Sequence, residues 1–141
     1  MAQLVNRGYE FFNRTGGPDF DLLDPEVEWT EGADVPEPQV YYGHDGVRRQ
    51  QEAFRAAWES FSIEPERFEQ VGDKLVVIVR VRARGKASSA EVEARLAHVW
   101  SLRDGKAIRF EIYASPERAL AEAKHGAPER ERRDSNPRPP A

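Results

Sequence analysis

Asp104-Gly105 sits between two stretches, 90–103 and 106–114, that both alternate apolar and polar residues. An Asp-Gly pair in that setting marks a two-residue hairpin turn, because both positions must adopt positive φ. A two-residue turn also dictates register. Arg103 then faces Lys106, Leu102 faces Ala107, Ser101 faces Ile108, and Trp100 faces Arg109. The ladder continues with Val99 opposite Phe110, His98 opposite Glu111 and Ala97 opposite Ile112. Side chains alternate across a strand, so two faces separate. One holds Ala97, Val99, Ile108, Phe110 and Ile112. The other holds His98, Trp100, Arg109, Glu111 and Tyr113. The first is expected against the core, the second outward, as an aromatic and charged face rather than plain solvent surface. His98 opposite Glu111 has the spacing of an orienting dyad for acid–base work, and Trp100 over Arg109 that of a cation–π contact.

The preceding strand, 74–84, divides likewise: Val77, Val79, Val81 and Ala83 on one face, Arg80, Arg82 and Arg84 on the other. Three arginines are costly to bury unpaired, so they belong outside, against Glu91 and Glu93. Those glutamates share parity with Ala97 and Val99, a conflict that a β-bulge near Arg95–Ala97 would remove. Gly72-Asp73 is a turn, and 62–71 is a weaker strand that Pro65 assigns to an edge.

The first half is helical. Val5, Tyr9 and Phe12 give one face of a helix over 3–14, ended by Gly16-Gly17-Pro18. Gly8 inside it suggests a close neighbour. Asp19 caps a short second helix carrying Phe20, Leu22 and Leu23. Val27 and Trp29 alternate with Glu28 and Thr30 in a strand; 32–40 is a loop; Tyr41-Tyr42 forms a short strand. Val47, Gln51, Phe54, Trp58 and Phe61 make the stripe of a long helix over 45–61. Ser115-Pro116 starts a last helix that ends near Gly126. The class is α+β, with helices on one face of a strongly bent antiparallel sheet.

With 141 residues, one domain is expected, over 1–125. Residues 126–141 hold four of the 10 prolines and no Leu, Ile, Val or aromatic residue, and read as a disordered Pro/Arg-rich tail. Zero cysteines exclude disulfides and a thiolate nucleophile. Three histidines, His44, His98 and His125, form no metal constellation, and no cofactor loop is present. A net charge of -4 argues against nucleic acid. No stretch approaches the roughly 18 apolar residues of a membrane span and no leader is evident, so no membrane partner and a cytoplasmic location are expected.

Tyr-Tyr-Gly-His-Asp-Gly-Val-Arg-Arg (41–49) and Ala-His-Val-Trp-Ser-Leu-Arg-Asp-Gly-Lys-Ala-Ile-Arg-Phe-Glu-Ile-Tyr (97–113), with this order of elements, resemble SnoaL-like proteins. That family shares the cone-shaped fold of ketosteroid isomerase, limonene epoxide hydrolase and nuclear transport factor. The resemblance implies a pocket between the helices and the concave sheet, and a homodimer through the outer sheet face, which makes His98 with Glu111, Trp100 with Arg109, and Tyr113 interface residues. It puts the isomerase base on or beside Glu31, the tyrosine donor on Gly8, the protonated acid on Ala97, and the hydrolase acid on Ile112. The hydrolase's arginine–aspartate pair falls near Arg80 and Arg82, without the aspartate. Only Glu31 keeps the chemistry.

Glu31 lies two residues after Trp29, on the same strand face. A carboxylate desolvated by aromatic neighbours suits a general base. Asp34 and His44 are the next candidates; His44 also suits bracing the turn before the long helix. Trp29, Tyr41, Tyr42, Trp58, Val99, Phe110 and Ile112 are the expected pocket lining. The expected function is a pocket for a small apolar molecule, with cyclase, isomerase or hydrolase chemistry on a carboxylate base. The alternative is a binding or dimerisation module without chemistry.

Overall fold

The computed structural model describes the backbone of residues 1–135 and side chains through His125. Helix α1 (Ala2–Thr15) buries Val5 and Tyr9, and ends on Gly16 at φ 86°, whose N–H bonds the Phe12 carbonyl. A short 3-10 turn, Phe20–Leu22, follows, with the Asp19 carboxylate accepting from the Asp21 N–H. A Cβ on Gly8 would lie 2.9 Å from Leu22 Cδ2, so the missing side chain lets this turn seat on α1.

Strands β1 (Leu23–Glu31) and β2 (Gln39–Tyr42) lead into α2 (Gly43–Ala57). Then come β3 (Trp58–Val71), β4 (Lys74–Gly85), β5 (Glu91–Arg103), β6 (Lys106–Tyr113) and α3 (Pro116–Ser135). They form one strongly curved six-stranded sheet, ordered β2-β1-β6-β5-β4-β3. The wholly antiparallel sheet read from the sequence is corrected at one pair: β1 runs parallel to β6. β3 is an edge strand, and its register shifts between Pro65 and Arg67, where proline removes a ladder donor.

Helix α2 ends at Ala57, not at 61. Trp58 and Phe61 belong to β3, which pairs along β4 from Trp58 opposite Gly85. Trp58 and Phe61, three apart, continue the helical stripe, whereas a regular strand alternates every second residue; the register of β3 shifts between Trp58 and Ser60, and ladder bonds to a long neighbour outweigh one more helical turn.

The larger correction concerns the β5–β6 hairpin. Asp104 (φ 55°) and Gly105 (φ 78°) form the turn, with Arg103 opposite Lys106 and Leu102 opposite Ala107. The next pair is Ser101 with Arg109, leaving Ile108 as an extra residue. Beyond it Trp100 faces Phe110, Val99 faces Glu111, His98 faces Ile112, and Ala97 faces Tyr113. A one-residue slip exchanges faces. His98 and Trp100 therefore share the inner side with Phe110 and Ile112, while Ala97 and Val99 lie outside with Glu111 and Tyr113. The bulge expected near Arg95–Ala97 is absent: β4 and β5 pair without interruption, Arg80 opposite Arg95 and Arg82 opposite Glu93.

Two apolar clusters result. The inner one joins Val5 and Tyr9 of α1 to Val27, Val77, Val79 and Phe110 of the sheet. The outer one packs Ala119 and Ala123 of α3 on Val76, Ile78, Ala97 and Val99. Helix α3 starts where the Ser115 hydroxyl accepts from the Arg118 N–H, and it runs past Gly126 to Ser135. The stretch read as a tail otherwise falls on residues 136–141 and on side chains from 126 onward, outside the described residues. Among the described residues, no helix is long and apolar enough to cross a membrane.

Candidate functional site

A cavity of about 110 Å³ lies between α1, α2 and the inner sheet face. Phe12, Phe54, Phe61, Ile63, Val81 and Leu96 make much of its wall. Tyr9, Asp19, Glu31, Gln50, Gln51 and His98, with the indoles of Trp29 and Trp100, bring polar atoms to it. Among the described residues, no lysine or arginine lines it.

Strand β1 delivers Glu31 through simple alternation: Val27, Trp29 and Glu31 occupy one face. Helix α2 supplies its partner. Gln50 and Gln51 fall between Val47 and Phe54 on the core-facing stripe, and both are buried. Gln50 Nε2 donates to Glu31 Oε2 at 2.6 Å, and Gln51 Nε2 donates to Gln50 Oε1 at 2.7 Å. A carboxylate only accepts, so it fixes the direction of both amides. Gln51 Oε1 and Trp29 Nε1 are buried with no hydrogen-bond partner among the described residues. Stranding such an atom costs about 1–3 kcal/mol.

A second polar group lies on α1 and β5. Tyr9 Oη and His98 Nδ1 are 2.7 Å apart, and Trp100 Nε1 donates to the same hydroxyl at 3.0 Å. The Tyr9 and His98 rings stack at 5.7 Å, and Phe110 meets His98 edge-on at 4.8 Å. Burial pushes His98 down from 6.5 to about 3, so the imidazole is neutral at physiological pH. Burial pushes the Tyr9 hydroxyl up, opposed in part by the Trp100 hydrogen bond.

Of the residues chosen from the sequence, the structure brings Glu31, Trp29, Phe110 and Ile112 together around the cavity. Others go elsewhere. Asp34 accepts the Ala114 and Ser115 N–H groups, both at 2.9 Å, and clamps the entry to α3. Partial burial opposes ionisation there, but those bonds and the Arg118 charge hold its carboxyl below its ordinary value. His44 Nε2 donates to the Leu23 carbonyl at 2.9 Å and braces the start of α2. Tyr41 is half-buried opposite Trp29 on β2, outside the lining; burial, then the Glu31 charge, raise its hydroxyl. Tyr42 is exposed. Trp58 lines a separate surface groove with Phe12 and Phe54.

Val99, expected in the pocket, lies beneath α3. His98 and Trp100, expected at an interface, are in the cavity wall, the consequence of the Ile108 bulge. Of the same group, Arg109, Glu111 and Tyr113 stay on the outer side; Arg109 approaches Glu28 at 3.8 Å, and the Tyr113 hydroxyl donates to Glu122. The sequence reading missed Tyr9, Gln50 and Gln51 as site residues. One signal was available: two amides inside an otherwise apolar helical stripe.

No curated protein matches the sequence. A family model described as a SnoaL-like domain matches residues 5–110. Among solved structures, an NTF2-like protein of unknown function from Burkholderia pseudomallei K96243 is similar, with 23% identity and a TM-score of 0.70. That match covers 85% of this chain and 94% of the other. TerC, co-crystallised with polyporic acid, is similar at 21% identity and TM-score 0.69, over 87% of this chain and 96% of its own. A candidate SnoaL-like polyketide cyclase from Jannaschia sp. CCS1 is similar at 14% identity and TM-score 0.67, over 88% and 91%. At these identities the structures speak for the fold.

Proposed function

The chain belongs to the SnoaL-like domain family, and from that premise we propose that its cavity holds a small, largely apolar molecule from which Glu31 removes a proton, as an enzyme of the cyclase or isomerase type. The observation that carries this reading is the carboxylate itself, on the wall of an apolar cavity and held by Gln50 at 2.6 Å. In the proposed step the C–H bond breaks and its proton passes to a Glu31 oxygen. The electron pair moves toward an oxygen of the substrate. Return of the proton to another carbon gives an isomer; attack of the carbanion on a second carbonyl gives a ring. The shared fold of TerC, crystallised with polyporic acid, and of a candidate polyketide cyclase supports a small-molecule role.

A binding protein without chemistry is the second reading. It is favoured by the bonds among Tyr9, His98 and Trp100, which commit the cavity's hydroxyl to protein partners. Two copies of the chain are proposed to pair through the outer sheet face. With His98 and Trp100 turned inward, and Glu111 and Tyr113 buried on the side where α3 packs, Arg109 is the residue of that group left at the surface.

A panel of apolar ketones and polyketide-like compounds, screened for binding and for turnover, separates these readings. Glu31→Gln keeps the shape and removes the base. It is expected to lower turnover by about a hundredfold or more while binding persists. Full turnover in that variant would remove Glu31 from the mechanism, and binding without turnover across the panel would favour the second reading.

A further inference from the structure

We propose that the cavity recognises a carbonyl-type oxygen on a neutral ligand through the Nε2–H of His98, with Tyr9 and Trp100 as the positioning residues that set this tautomer. The inference rests on the reading of the cavity as a ligand site. It begins with what each group can do. An indole N–H only donates, so Trp100 occupies a lone pair of the Tyr9 oxygen. The phenolic hydrogen must then find an acceptor inside a buried wall, and the structure offers His98 Nδ1 at 2.7 Å. A proton on Nδ1 would aim two donors at one oxygen and strand the phenolic hydrogen among apolar groups, which buried hydroxyls rarely tolerate. The His98 proton therefore sits on Nε2.

The doubly protonated ring meets the same obstacle at Nδ1, and its neighbours give it no anion. Tyr9 faces it from α1, Phe110 from β6, and Val77 and Ile112 flank it across the ladders. Nε2 has no protein partner among the described residues, and His98 lines the cavity. It is a donor held in one orientation, offered to whatever enters. The charge of the wall narrows the class further. Glu31 and Asp19 line the same space and, among the described residues, no cation does, so a carboxylate or phosphate has no described side chain to balance it. A ketone, ester or lactone oxygen meets both conditions.

The test uses the full chain, ring-¹⁵N-labelled at histidine, with two probes of matched shape: acetophenone, and α-methylstyrene, in which C=CH₂ replaces C=O. His98 is expected to show a bare Nδ1 and a protonated Nε2 from about pH 8 to about pH 5. Acetophenone is expected to bind about tenfold more tightly than α-methylstyrene and to shift the Nε2–H resonance. Tyr9→Phe should erase the tautomer preference and shrink the discrimination. His98→Asn, which leaves Tyr9 an acceptor near the Nδ1 position, should abolish the discrimination in a folded protein. A proton on Nδ1, or equal binding of the probes with an unmoved Nε2–H, overturns the inference while the ligand site stands. Binding of neither probe overturns both.

Discussion

On the outer face of the sheet, Arg80 reaches Glu66 and Glu93 at 2.9 Å each, and Arg95 reaches Glu66 at 2.9 Å, all in contact with water. On the inner face, Tyr9, His98 and Trp100 bond one another away from water, and Gln51 and Gln50 pass a hydrogen bond to Glu31. Both arrangements satisfy polar side chains on or against the same strands. They differ in what a failure costs. A broken exposed pair is taken over by solvent, and such pairs contribute little. A broken buried bond leaves an atom with nowhere to turn. The outer lattice is therefore tolerant, and the inner one specifies geometry.

The same charge placed on each face breaks this comparison most directly. Trp100→Glu puts a carboxylate into the inner cluster and removes the Tyr9 donor. It is expected to cost about 4 kcal/mol or more, enough to unfold many domains, read as the midpoint of urea unfolding. A wild-type midpoint would place Trp100 outside the core.

A smaller, graded effect comes from acid. His98 is neutral in the folded protein, with its protonation pushed down to about 3 by burial, whereas the unfolded chain takes up that proton near 6.5. Between those values the unfolded state binds more protons. Stability is therefore full above about pH 6.5 and falls as pH drops through the window, by up to about 1.4 kcal/mol per pH unit. Unfolding midpoints measured from pH 7 to pH 5 should show the slope, and His98→Asn should flatten it. An unchanged slope in that variant would mean that another group carries the acid response.

Arg109→Glu is the mildest. It replaces an outer-face pair with Glu28 and should change the stability of the fold by less than about 1 kcal/mol. Its expected effect is on association: light scattering should show monomer where the parent chain shows a pair. A dimer that survives the reversal would move the interface off this face.

Strand order along the chain, the Gly16 helix stop, the Gly72-Asp73 and Asp104-Gly105 turns, the edge role of Pro65 and the faces of β4 were legible in the sequence, because each rests on local periodicity or on backbone freedom. The end of α2 was not, since Trp58 and Phe61 continue the helical spacing and their pairing partners, Gly85 and Ala83, lie 27 and 22 residues away. The orientation of β5 was not legible either. The parity conflict between Glu91, Glu93 and Ala97 did reveal that one register was wrong, but conflict within a strand does not say which neighbour carries the extra residue. Glu31 was visible through its parity with Trp29. Tyr9 and His98 were not visible as partners, because 89 positions separate them and only the curvature of the sheet brings α1 over β5.

The extra residue at Ile108 also decouples the tip of the hairpin from the cavity. The turn governs only the pairs Arg103–Lys106 and Leu102–Ala107; past the bulge, alignment is held by the uninterrupted ladder to β4 on one side and by β1 on the other. Slack of this kind behaves as a mechanical clutch. Loop remodelling at 104–105, whether by insertion, grafting of a peptide tag or attachment of a fluorophore, is absorbed before it reaches Trp100 and Phe110, which makes the hairpin tip the natural handle for engineering this chain.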